Sequence, residues 1–393
     1  MNKLTEKFFS VLKITTSSGE IMTTSEKKDS SINKVISLLI ICASLGITYL
    51  PIFPIKTNVT IVSGSELKEV LEEISDKFEK DNPHIDLEIE IQGSQDMISN
   101  VIDKKNDFIP TILIPANSEL ITELENRLKA QGETNIFYNP PEVITRTLLV
   151  AIAWEERGKV LFPNNKFSWN QLEKALKVRN WQQLGGDKNW GSFDFVTTDP
   201  TRSNSGQLTL SLWAKNDLNQ NILTVNDINN NQIIDLFTLI KKSVYQPPRS
   251  TDILLQEFIA RGANDADVAT VYESIALYRW SQAKERRNQG YQIYYPNPTI
   301  ETTISGVVLK QNVNNQEAKS AKKFINYLRE KEQQIIFAKY GFRPIIDLNL
   351  ANLKETPWSN NISGVEIKPN TNIKPSPDSN VINEIEKIWN QAN

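Results

Sequence analysis

DPTRSNSGQ, residues 199–207, stands between a short apolar run at 192–197 and a helical pattern that opens LTLSLW. A strand, a polar turn and a helix start leave several backbone N–H groups without intrahelical partners. Such a place holds an anion, or the negative end of a polar ligand, without catalytic machinery. Asp199 and Pro200 end the strand, Ser203, Asn204 and Ser205 offer local hydrogen bonds, and Gly206 permits close backbone approach. Arg202 has two readings, a fork of donors for an anionic ligand or an outer-surface residue. The loop lacks the paired glycines and lysine of a nucleotide phosphate loop, and by itself it is also a well-capped turn.

The chain before this stretch repeats its logic. Residues 57–62 read as a strand ending in Ser63-Gly64-Ser65, and ELKEVLEEISDKFEKDNP then places Leu67, Val70, Leu71, Ile74 and Phe78 on one helical face. Residues 85–91 form a second strand pattern that reaches Gly93-Ser94-Gln95-Asp96, and DFIPTILIPANSELI gives a third unit whose helix Ser118 caps. Successive strand–loop–helix units predict an α/β lobe with functional loops at strand carboxyl ends. Ser65 and Ser94 each fit a helix cap, and their repetition after consecutive strands points both at one cleft. Asp96 reads as an early-helix acid on the favourable side of the dipole.

Beyond 142 the run ITRTLLVAIAW is long enough to cross between two lobes. Ser168 caps WNQLEKALK, and Trp181, Trp190 and Phe193 read as local core, with a sugar-stacking platform as the alternative. Residues 268–272 read as a strand, so Tyr272 and Glu273 occupy another strand end, as ligand contacts or as plain termination. YQIYYPNPTIETTISGVVL returns the chain to the first lobe. NQEAKSAKKFINYLREKEQQIIFAKYG predicts one amphipathic helix closed by Gly341. Residues 352–380, rich in Asn, Ser and Pro, predict an extended wrap, and VINEIEKIW a final helix with Ile382, Ile385, Ile388 and Trp389 inward.

At 393 residues the chain suits two lobes, and its net charge of -3 argues against nucleic acid as a partner. One Cys and one His exclude an internal disulfide and argue against a Cys/His zinc site. Without HExxH or GxSxG patterns, neither a catalytic set, a metal nor a cofactor is expected. Lys27, Lys28 and Lys34 precede residues 35–55, which carry no charge. That length predicts a membrane-spanning anchor or a signal helix with the body outside the cytoplasm, behind a cytoplasmic tail or signal n-region at 1–34. Cys42 follows a bulky residue that suits lipoprotein processing poorly, and Met22 opens a more compact export-like segment.

In order, the landmarks SGSELKEVLEEISDKFEKDNP, GSQDM, TTDPTRSNSGQ, DVATVYESIAL, YYPNPTIETTISGVVLK and AKYGFRPI resemble the type II periplasmic solute-binding proteins of ABC importers. The likeness is nearest the phosphate-, sulfate- and molybdate-like branches. It implies a two-lobed α/β fold with lobe one at 57–150 and 295–350, lobe two at 151–294, and a C-terminal wrap and helix at 351–393. It also implies a monomeric body that closes over a small polar or anionic solute and serves an ABC permease; the uncharged run 35–55, where uncleaved, would contact the inner membrane. Ser63, Ser65 and Ser94 would lie in the first lobe's binding loops. Arg202, Ser203, Ser205 and Gly206 would lie in the second lobe's loop, with Tyr272 and Glu273 nearby. Two departures stand out: Asn204-Ser205-Gly206 is looser than the usual phosphate turn, and an ionised Glu273 would repel a dianion. A substrate-facing Glu273 favours a cationic, zwitterionic or hydroxyl-rich solute. A membrane-anchored sensor or scaffold that keeps the fold is the alternative function, and a hydrolase a more distant one.

Overall fold

The computed structural model describes residues 35–41, 56–263 and 265–392. β1 (Thr57–Ser63) pairs in parallel with β2 (Ile85–Ile91) on one side and with β3 (Ile112–Ile114) on the other. Their carboxyl ends therefore share one edge, and the loops after Ser63, Ile91 and Ile114 leave from it. The helix Lys68–Asp81 presents Val70, Leu71, Ile74 and Phe78 to the core, the face that the apolar spacing predicts. Each such side chain contributes about 1.5–3 kcal/mol on burial. Helices Ser94–Asp103 and Glu119–Ala130 complete the layer, and one continuous apolar cluster fills it.

The second lobe is built on β4 (Glu142–Trp154), β5 (Phe195–Val196), β6 (Val268–Tyr272) and β7 (Tyr291–Tyr294). β5 lies parallel to β6, and β4 runs antiparallel to both β6 and β7. Clusters of buried residues cover the two faces of this sheet. Trp181 and Phe193 belong to one of them and Trp190 packs half-buried against it, so these aromatics are local core rather than a platform.

β4 and β8 (Thr299–Val308) are the crossing strands. Over 142–148 β4 pairs with β8, and over 149–154 it pairs with β6 and β7. β8 in turn pairs with β3, so the hydrogen-bonded path runs β2-β1-β3-β8-β4-β6-β5 through both lobes. A short β9 (Ile373–Lys374) adds to β8, and the helix Ser379–Gln391 docks Val381, Ile382, Ile385, Ile388 and Trp389 onto the second lobe.

Two expectations need correction. The single amphipathic helix expected over 315–341 is two, Asn315–Leu328 and Lys331–Lys339. Gln334 explains the break, because its Nε2 donates to the carbonyls of Ile144 (2.8 Å) and Leu328 (2.9 Å) and turns the second helix into the core. The membrane-spanning or signal helix expected over 35–55 is not supported. Among the described residues no helix is long and apolar enough to cross a membrane. Residues 1–34 and 42–55, with Met22 and Cys42, lie outside the described residues.

Candidate functional site

Loops from both lobes meet over the carboxyl ends of β1, β2 and β6. From the first lobe, Ser65, Gln92, Gly93 and Ser94 line a small cavity; from the second, Ser203, Asn204, Thr251 and Tyr272 line it. The cavity measures about 10 Å³, the room of a single water-sized group. It lies beside a larger groove of about 510 Å³ that Lys68, Asp96, Arg202 and Asp252 border. Ser65 and Arg249 line both spaces.

Helix starts bring donors to this point. Helices Ser94–Asp103 and Asn204–Asp217 begin at Gly93 and Ser203, and neither has a side-chain cap, so their first N–H groups stay available. Ser94 is buried and its Oγ accepts from the Ala116 N–H at 3.0 Å, leaving the hydroxyl hydrogen to donate. Asn204 Nδ2 donates to the Tyr272 hydroxyl at 2.8 Å, and burial raises the Tyr272 pKa well above its usual value. Behind them Ser205 Oγ bonds Thr198 at 2.9 Å and Thr251 at 2.7 Å, a fully buried hydroxyl chain that fixes the two loops to each other. Gly206 has a packing role there, since a Cβ would stand 2.5 Å from the Thr198 carbonyl.

The expected residues thus divide. Ser65, Ser94, Ser203 and Tyr272 surround the cavity, and Arg202 borders the outer groove, where its Nη2 pairs with Asp96 Oδ2 at 2.8 Å across the two lobes. Ser63 is buried behind its loop, with Oγ donating towards the carbonyls of Gly64 and Ile114. Glu273 is not at the cavity. The carboxylate of this fully buried residue receives Arg343 Nε at 2.6 Å, Arg343 Nη2 at 2.8 Å and the Tyr295 hydroxyl at 2.6 Å, a clamp on the far side of the strand end. The objection that Glu273 would repel a dianion in the pocket therefore falls.

Sequence reasoning passed over Glu66, Gln92, Arg249, Ser250 and Thr251, all at the cavity. Ser250 caps the helix Thr251–Arg261 directly after Pro247-Pro248, and that pattern of turn and capped helix was the signal available. Glu66 sits inside the quoted opening SGSEL. It is buried, its Oε1 has no hydrogen-bond partner, and desolvation pushes its carboxyl up to about 7. Across the groove Arg279 holds both Asp252 (2.5 Å) and Glu69 (2.8 Å), a second link between the halves. Among the described residues no group of three His, Cys, Asp or Glu could hold a metal ion.

The family model "Bacterial extracellular solute-binding protein" matches residues 59–343. No curated protein matches the chain. Among solved structures, the chain is similar to a periplasmic thiamin binding protein (TM-score 0.59, 10% identity, 86% of this chain and 96% of that one). It is also similar to the substrate binding protein of an ABC transporter from Agrobacterium tumefaciens (0.56, 15%, 86% and 94%). A third likeness is to the sulfate-binding protein SubI from Mycobacterium tuberculosis H37Rv (0.53, 17%, 75% and 89%). At these identities the structures speak for the fold, while the family match spans both lobes and the loops between them. The chain belongs to the bacterial extracellular solute-binding proteins, a two-lobed type II receptor that takes up its solute outside the cytoplasm.

Proposed function

We propose that the protein captures a small polar solute at the cavity between Ser65, Ser94, Ser203 and Tyr272 and hands it to an ABC permease. One observation carries this reading: hydroxyls and uncapped helix starts from both lobes face one small space. Closing two lobes over a solute completes a hydrogen-bond set that neither lobe offers alone, and so shifts the population towards the closed form. The moving halves are 57–150 with 295–350 and 151–294, hinged at β4 and β8, with 351–393 riding on the body. The binding contacts are Ser65, Ser94, Ser203 and Tyr272, with Arg202 closing the outer rim and Ser63, Ser205 and Gly206 supporting their loops.

Thermal-shift titration of the protein against a panel of ions, amino acids and sugars, followed by small-angle scattering with each hit, tests it. A saturable hit should reduce the radius of gyration. A hit that leaves the scattering curve unchanged, and binds equally well after Ser94→Ala and Ser203→Ala, would place binding elsewhere and end this reading.

A further inference from the structure

Resting on the receptor reading above, we propose that the solute is a small zwitterion whose ammonium nitrogen meets the Glu66 carboxylate inside the cavity and whose anionic end faces Arg249 at its mouth. Glu66 is 6% exposed and lines the inner cavity; its carboxylate takes a hydrogen bond from its own backbone N–H, yet Oε1 has no partner. Buried carboxylates are ordinarily paired, because an isolated ionised one is costly to desolvate. Of the residues lining this cavity only Arg249 is a cation, and it is exposed at the mouth and makes no ion pair with Glu66. Asp252, from the helix Thr251–Arg261, adds negative charge and is itself taken by Arg279; Tyr272, at the end of β6, is neutral and already receives Asn204. Lys68, next on its own segment, is exposed and borders the outer groove.

Arg249 is the complementary case. Arg202 is paired with Asp96 and Arg279 with Asp252 and Glu69, whereas Arg249 has neither a hydrogen bond nor an ion pair among the described residues and lines both the cavity and the groove. The uncapped starts of the helices Ser94–Asp103 and Asn204–Asp217 add positive potential on the same side. A buried acid with one unpartnered oxygen within and an exposed base without an ion pair at the rim are both satisfied by one ligand with opposite charges at its two ends. A dianion without a proton would meet the Glu66 carboxylate directly.

Calorimetric titration of the full chain with glycine and β-alanine, with ethylamine and acetate as single-charge controls and sulfate and molybdate as oxyanions, tests the assignment. At least one zwitterion should saturate the site, at least tenfold more tightly than either single-charge control. Because Glu66 must ionise to receive an ammonium group, affinity should rise about tenfold from pH 6 to pH 8, as the ionised fraction of a group titrating near 7 goes from about a tenth to nine-tenths. Glu66→Gln should abolish that slope, and Arg249→Ala should weaken binding about tenfold while preserving it. The wild-type pH profile stands even if Glu66→Gln does not fold. Saturation by sulfate or molybdate, tighter at pH 6 than at pH 8, would overturn the proposal by making Glu66 a protonated donor, and would leave the receptor reading intact. A hit of any other class without a pH slope would overturn it as well. No saturation by any probe, with scattering also unchanged, would count against both readings.

Discussion

Glu273 shows how far a single residue's position can mislead. It follows β6 at a strand end, where ligand contacts belong, but its partner Arg343 lies 70 residues on and cannot be inferred from local pattern. With Glu273 fully buried and Arg343 nearly so, the pair is held by geometry and not by exposed charge. Removing one member leaves the other uncompensated, a loss of about 3–5 kcal/mol. Arg343→Ala should therefore lower the urea midpoint strongly, while Glu273→Gln, which keeps hydrogen-bonding capacity, should lower it less. Neither should change the affinity of the protein that remains folded by more than about twofold, because neither side chain reaches the cavity. Glu66 gives the opposite lesson. It lies inside the opening motif SGSEL, and only the structure shows that its carboxyl is buried with Oε1 unpartnered. Burial raises Glu66, Glu386 and Asp267 to about 7, above unfolded values near 4. The folded state thus binds more protons than the unfolded one between about pH 4.5 and 7, and stability falls as pH rises through that window. Chemical denaturation at pH 5 and pH 8 should show a decrease on the order of 5 kcal/mol, and Glu66→Gln should remove roughly a third of it.

Elements were legible where apolar period and capping chemistry agreed. The helix Lys68–Asp81, the cap at Ser168 and the terminal helix Ser379–Gln391 all follow from spacing and polar starts. The boundary at Arg329–Glu330 was not legible, since no Gly or Pro marks it and Leu328 and Ile336 keep helical phase; a side-chain amide three-dimensionally placed by β4 makes the break. β5 was expected over 192–197 and pairs only over Phe195–Val196. The terminal helix has a definite energetic role. Asp378 caps it by accepting from the N–H groups of Asn380 and Val381, and Lys241 Nζ donates to the carbonyls of Trp389 (2.6 Å) and Ala392 (2.8 Å) at its other end. Ile385 is fully buried in the second lobe's core. Ile385→Ala should destabilise the body by about 2–5 kcal/mol in urea unfolding, against less than about 0.5 kcal/mol for an alanine at exposed Asn383.

At the scale of the molecule, the two-lobed plan was legible because strand–loop–helix repeats on either side of two long crossing strands allow few other packings. The closure contacts were not, because each joins residues more than a hundred positions apart or on opposite lobes. Among the described residues two ion-paired links border the groove, Arg202–Asp96 and Arg279–Glu69, and their worth differs with exposure, while Arg343–Glu273 joins the lobes away from it. The Arg202–Asp96 side chains are 43% and 36% exposed, so the pair contributes only about 0.2–1 kcal/mol and is screened by salt. Arg279 is 7% exposed and serves Asp252 and Glu69 together, beside the unpaired Glu66. Its loss would leave Asp252 unbalanced next to a second acid, and the like charges would push the halves apart. Arg202→Ala should accordingly change solute affinity by less than about fivefold, an effect that shrinks further at 1 M salt. Arg279→Ala should shift the solute-free protein towards a larger radius of gyration in small-angle scattering and weaken binding by more than tenfold. Equal effects of the two substitutions would mean that exposure does not grade these links, and that closure is set by the hinge strands β4 and β8 alone.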